Sequence, residues 1–154
     1  MHLREGSDAD TVSCVALFTA SVHGLAGEYY TPAQCHAWAP LAPDMGFWQQ
    51  RLAGLQCLLA EDETGLLGFI GYTHDGHIDM LFCAPTAARR GVASALYRDA
   101  EARLRSRGVG WLRTEASLLA QHFFLRQGFV SEAREEVERA GVLLPRYRMS
   151  KTLD

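Results

Sequence analysis

Leu81-Phe82-Cys83-Ala84-Pro85-Thr86-Ala87-Ala88-Arg89-Arg90-Gly91-Val92-Ala93-Ser94 is the stretch that decides the fold. The apolar run His77–Cys83 stops at Pro85, a small basic loop follows, and a helical pattern runs from about Arg90 to Arg107, closed by Gly108. A strand that enters a helix through such a loop leaves free N–H groups pointing outward, reinforced by the positive end of the helix dipole. This arrangement suits an anion, and a pyrophosphate in particular. Gly91 lets the backbone approach phosphates closely, and Ala93 and Ser94 keep the helix start unobstructed. Arg89 and Arg90 add charge-assisted contacts. The glycines and lysine of a Walker loop are absent, as is the dinucleotide fingerprint.

Working outward, Gln56–Glu61 and Leu66–Thr73 are strand-like runs separated by Asp62-Glu63-Thr64-Gly65. Asp75-Gly76 is a hairpin signal that joins the second run to His77–Cys83. Residues 2–5 read as an opening strand. Ser7, Asp8 and Asp10 are candidate caps for a helix reaching Val22, with Val12, Val15, Ala16 and Thr19 on one face. Thr31-Pro32 starts a second helix that stops before Pro40, and a third spans Asp44 to Leu52. Beyond the long helix, whose expected core face is Ala93, Leu96, Ala100 and Leu104, Trp111–Glu115 is a strand. Leu118–Gln127 is a helix ended by Gly128. Phe129–Glu135 and Val142–Met149 are strands joined through Arg139-Ala140-Gly141. The order β-α-α-α-β-β-β-α-β-α-β-β predicts one mixed α/β domain over residues 1–154.

The chain has 154 residues, 48% apolar and 21% charged, a globular balance. Its net charge of −3 argues against a nucleic-acid partner. No apolar run approaches the ~18 residues of a membrane helix, and the polar N-terminus does not read as a secretory signal, so a cytoplasmic protein without a membrane partner is expected. Cys14, Cys35, Cys57 and Cys83 show no metal-ligand spacing and read as reduced thiols. His74 and His77 flank a turn without an evident third ligand, so no metal is expected.

The segment Arg89-Arg90-Gly91-Val92-Ala93 resembles the coenzyme A loop of the GNAT superfamily, Gln/Arg-x-x-Gly-x-Gly/Ala, with Ala88 in place of the first Gln or Arg. Ala116 to Phe129 resembles that superfamily's closing helix and Gly-Phe strand start. Glu28-Tyr29-Tyr30-Thr31-Pro32 with Gln34 and Trp38, and Arg146 to Lys151, look like segments of a bacterial, small-molecule-type subgroup. The resemblance covers essentially the whole chain. It implies a mixed sheet of about six to seven strands with flanking helices, splayed around a coenzyme A site. It also implies transfer of an acetyl group from acetyl-CoA to an amine on a small molecule or peptide. A non-catalytic acyl-CoA sensor is the alternative, and a homodimer is possible within the resemblance.

The resemblance places pantetheine between the strands His77–Cys83 and Trp111–Glu115, near backbone groups of Leu81, Phe82 and Cys83, where an N–H polarises the thioester carbonyl. Ser117, where many relatives carry Asn, is a further coenzyme A contact or a helix cap. The acceptor amine attacks directly and must first lose a proton. Asp79 is the first candidate base, Glu115 the second and Glu28 the third. Tyr29, Tyr30, Trp38 and His77 are candidate acceptor contacts. The usual acid, a Tyr four residues before the closing Gly, is Phe124 here, so Tyr147 and Tyr30 are candidate substitutes.

Overall fold

A computed structural model describes residues 1–154. It contains one seven-stranded sheet in the order β1-β2-β3-β4-β5-β7-β6. The strands are β1 (His2–Glu5), β2 (Gln56–Asp62), β3 (Gly65–Tyr72), β4 (His77–Cys83), β5 (Trp111–Ser117), β6 (Val130–Arg139) and β7 (Val142–Thr152). Every neighbouring pair is antiparallel except β4 and β5. The helices are α1 (Thr11–Leu25), α2 (Pro32–Trp38), α3 (Met45–Ala53), α4 (Val92–Ser106) and α5 (Gln121–Arg126). The element order is the expected one. β6 and β7 run further than anticipated because they form one long two-stranded ribbon paired from Val130↔Ser150 to Arg139↔Val142.

The helices divide between two apolar cores. One gathers Leu96, Tyr97, Ala100 and Leu104 of α4 with Phe124, Phe129 and Met149. The other gathers Phe18 and Val22 of α1 with Tyr30, Trp48, Phe69 and Met80. Fully burying a side chain of this size is worth roughly 1.5–3 kcal/mol, so each core anchors its helices firmly.

α1 presents a different face from the one expected. Cys14, Val15, Phe18 and Val22 are buried, whereas Val12 is 69% exposed and Ala16 is also exposed. Phe18 and its neighbours remove more apolar surface from water than the Val12–Ala16 row would, and the helix turns accordingly. The segment Asp8–Glu28 is long and apolar enough to cross a membrane by length and composition, which corrects the expectation that none approaches that length. In the fold its apolar stripe lies in the second core.

The start of α2 follows the expected chemistry. The Gln34 N–H donates to Thr31 Oγ1 at 3.1 Å, and the Thr31 N–H donates to Gln34 Oε1 at 2.9 Å. α4 begins two residues later than expected, at Val92, because Arg89 and Gly91 both adopt left-handed backbone, with φ of 62° and 81°. The later start brings Val92 and Tyr97 into its buried face, while Ala93 is only half-buried. The first turn of α4 lies directly on β3. A Cβ on Gly68 would stand 2.9 Å from both the Phe82 carbonyl oxygen and Val92 Cγ1, so only glycine allows that approach.

Candidate active site

β4 and β5 pair only at His77↔Arg113 and Ile78↔Thr114. Beyond those pairs the two strands continue to Cys83 and Ser117 without pairing to each other. A bulge in β4 accompanies the opening. Ile78 faces Tyr72 and Met80 faces Gly71, which leaves Asp79 as the extra residue. Ile78 consequently packs in the α4 core and Met80 in the α1 core. The Thr114 hydroxyl donates to the Ile78 carbonyl at 2.8 Å and closes the paired end.

A cavity of about 810 Å³ occupies the gap. Its walls come from both cores: Ile78, Ala116 and Phe124 from one, Phe18, Trp48 and Leu144 from the other. It therefore reaches both faces of the sheet. In antiparallel strands alternate residues direct their N–H and C=O to the neighbour. The Ala84 N–H donates to the Leu67 carbonyl on β3, so by that alternation Phe82 also points to β3, and the N–H groups of Leu81 and Cys83 point to the gap.

At the end of β4 the chain passes through a 3-10 turn, Pro85–Ala87, into the basic loop. None of the backbone N–H groups from Arg89 to Ser94 donates to a backbone carbonyl. The left-handed residues Arg89 and Gly91 turn the loop into a concave cluster of donors of the kind that holds anions. A Cβ on Gly91 would meet nothing within 4 Å, so the space in front of it is open. Val92 as a whole is 2% exposed and packs inward beneath the loop. Arg90 lies 3.8 Å from Asp62, and Arg89 is exposed.

On the acceptor side, Asp79 and Glu115 both line the cavity, with different partners. Arg51 Nε donates to Asp79 Oδ2 at 3.1 Å, and the Arg51 guanidinium lies 5.2 Å from the Trp48 ring centre. His77 Nε2 stands 3.1 and 3.0 Å from the two Glu115 oxygens. The hydrogen bond to Glu115 raises the His77 pKa from its ordinary value against the opposing effect of burial. The same bond lowers that of Glu115. Tyr30 and Trp38 line the cavity as expected. The Tyr30 hydroxyl donates to the Pro145 carbonyl at 2.7 Å and accepts the Leu118 N–H at 2.9 Å. It thereby bolts the segment before α2 to the ends of β5 and β7.

The comparisons with known proteins agree with this geometry. Residues 28–151 match the family described as acetyltransferase (GNAT) domain. The chain is 33% identical over 149 residues to YafP, an uncharacterized N-acetyltransferase of Escherichia coli strain K12, covering 97% of this chain and 94% of the relative. The chain belongs to the GNAT acetyltransferases. A GCN5-related N-acetyltransferase structure from Rhodopseudomonas palustris superposes with a TM-score of 0.94 at 32% identity, over 99% of this chain and 95% of that one. The fold is also shared with yncA of Salmonella typhimurium, a structure with its cofactor acetyl-CoA. There the TM-score is 0.70 at 16% identity, over 100% of this chain and 94% of that one.

As a GNAT enzyme the protein acts with acetyl-CoA as co-substrate and acetylates an amine. The residues present fit that co-substrate. Apart from Ala93, whose N–H bonds the Cys83 thiol, the N–H groups of the Arg89–Ser94 loop suit a pyrophosphate, and the gap-facing backbone of Leu81 and Cys83 suits an extended pantetheine arm. Ser117 Oγ accepts the Ala120 N–H at 3.1 Å, and its own proton is left to donate into the cavity. Burial pushes the Cys83 thiol up to about 11, so it is neutral at pH 7 and a poor nucleophile.

Four of the expected acceptor and catalytic residues lie outside the cavity wall. Glu28 and Tyr29 are exposed and line no part of the cavity. The 3-10 turn Ala26–Glu28 carries them outward and admits only Tyr30. Tyr147 packs against the α4 core under the Arg134 guanidinium, 5.8 Å from its ring centre, and does not line the cavity. His77 holds Glu115 and is not itself part of the cavity wall. Phe124, 2% exposed, does line it. Phe18, Trp48, Arg51 and Arg146 line the cavity without having been singled out. Only the placement of Trp48 and Arg51 three residues apart on one helix hinted at a shared face.

Proposed function

We propose that the protein N-acetylates a small-molecule or peptide primary amine by direct attack, with Glu115 as base. One observation carries this reading: a single cavity at the β4–β5 gap joins Leu81, whose N–H faces the gap, to the Glu115 carboxylate. Acetyl-CoA supplies the acetyl group as a thioester. The N–H of Leu81 or Cys83 polarises the thioester carbonyl. The amine nitrogen bonds to the acetyl carbon as the carbon–sulfur bond breaks, and the nitrogen's surplus proton passes to Glu115.

Glu115 suits the role better than Asp79. An arginine that does not titrate near neutral pH fixes the negative charge on Asp79. Glu115 is paired with histidine, the side chain that does titrate there, so a proton taken up can move on to His77 and solvent. Phe124 has no proton to give. The leaving thiolate has a pKa of about 8.5 and departs without that acid. Four free thiols suit a reducing compartment such as the cytoplasm.

The test is release of free coenzyme A thiol when amines are supplied with acetyl-CoA, with the N-acetyl product identified by mass spectrometry. Amine-dependent release is expected, and it should fall sharply in Glu115→Gln. Acetyl-CoA binding without release across a broad amine panel would overturn the reading.

A further inference from the structure

We propose that the acceptor is a primary amine joined to an aromatic ring. The inference rests on the amine-acetylation reading above and names the substrate class.

The acceptor half of the cavity is an aromatic box. Phe18, Tyr30, Trp38, Phe47, Trp48 and Phe82 all line it. Their rings are mutually arranged: Phe18 lies 4.9 Å from Trp48, 4.8 Å from Phe82 and 6.1 Å from Trp38, and Tyr30 lies 5.4 Å from Trp38. All four contacts are edge-on or tilted, so the rings hold one another in place and the box is preformed. Such a wall offers ring faces and edges to an aromatic guest and very few hydrogen-bonding groups.

The charges around the box point the same way. Asp79 is held by Arg51, and Glu135 holds Arg146 at 2.8 Å. The Asp44 carboxylate accepts the Phe47 N–H at the start of α3. Glu115 is left for the reacting amine, with His77 as its one hydrogen-bonded partner. Arg139 also lines the cavity, and its one hydrogen bond goes to the neighbouring Glu138 carbonyl. Beyond Glu115 a polyamine would find one further carboxylate without a cationic partner, the exposed Asp44, and its flexible chain would cover little of the ring surface. A short alkyl amine would leave the ring surfaces uncovered.

The experiment compares 2-phenylethylamine, butylamine and spermidine at saturating acetyl-CoA. Coenzyme A release gives kcat/KM, and calorimetric titration into coenzyme A-loaded protein gives affinity. 2-Phenylethylamine should exceed both others by about tenfold or more in each measurement, given the ring area it buries. Phe47→Leu, at a half-exposed position that the fold tolerates, should narrow its advantage over butylamine, as should Trp38→Leu. Equal values for the three amines, or a preference for spermidine, would overturn the proposal. If no amine releases coenzyme A, acetyl transfer itself fails, and the titrations still decide the substrate class: tighter binding of 2-phenylethylamine supports it and equal binding overturns it.

Discussion

Arg51 Nε reaches Asp79 Oδ2 at 3.1 Å, and that contact reverses the sequence ranking of two carboxylates, which put Asp79 first and Glu115 second. Asp79→Asn removes a charge already committed to a guanidinium, so kcat at neutral pH should fall by less than about tenfold. Glu115→Gln removes the proposed base and should cost about 100-fold or more, less at high pH where the amine deprotonates unaided. Steady-state rates of the two variants at neutral and alkaline pH make the comparison. The reverse order of losses would return the role to Asp79.

The His77–Glu115 pair gives activity and stability opposite pH slopes. His77 has its pKa raised by Glu115, then lowered in part by burial; Asp79 also raises it and Arg113 opposes. Protonated His77 weakens Glu115 as a base, so kcat/KM should climb as pH rises through that raised value, above the ordinary ~6.5. His77→Gln should displace this limb. The stability contribution of His77 runs the other way: full below ~6.5 and lost as pH rises through the folded value. That of Glu115, whose folded pKa is lowered, is present above ~4.3 and lost as pH falls through the folded value. Urea midpoints across pH should therefore show the wild type gaining over His77→Gln in the mildly acidic range between those limits, and less at alkaline pH.

Gly91→Val tests the phosphate loop. Nothing in the protein blocks the added side chain, but φ of 81° resists a β-branched residue and the isopropyl group would fill the open space. The fold should survive, with acetyl-CoA affinity weakened at least about tenfold, equivalent to roughly 1.4 kcal/mol. Calorimetry on a folded variant with unchanged affinity would remove the loop from the binding site.

Phe124→Tyr asks whether the site lacks an acid. The ring is buried and packed 5.0 Å from Phe129. With the thiolate leaving unassisted, turnover should change only a few-fold. A gain of about 100-fold or more, the scale of a missing general acid, would show that departure of the thiolate limits the wild type.

The order of elements, the Asp75-Gly76 hairpin and the Thr31 helix cap were all legible because each rests on neighbours in the chain. The strand, basic loop and helix from Leu81 to Ser94 were legible for the same reason, because they follow one another in the chain. The Asp79 bulge was not, because it exists only in the register of β4 against β3. Nor was the pairing of Asp79 with Arg51 and of Glu115 with His77, which joins residues 28 and 38 positions apart. Tyr147 looked suitable by its place in the chain, yet strand alternation turns it toward the α4 core and away from the cavity. The cavity wall drew on Phe18 and Trp48, which no local pattern marked, and on the ring of Phe82, for which only a backbone role beside pantetheine was expected.

The two cores have separate tenants. Residues of α1, α2 and α3 build much of the proposed acceptor wall, while the loop and α4 proposed to receive coenzyme A pack into the other core. Variation within residues 11–53 can therefore retune which amine is accepted and leave the donor cradle untouched. One scaffold can then diverge into a lineage of acetyltransferases that share a common currency and differ in clientele.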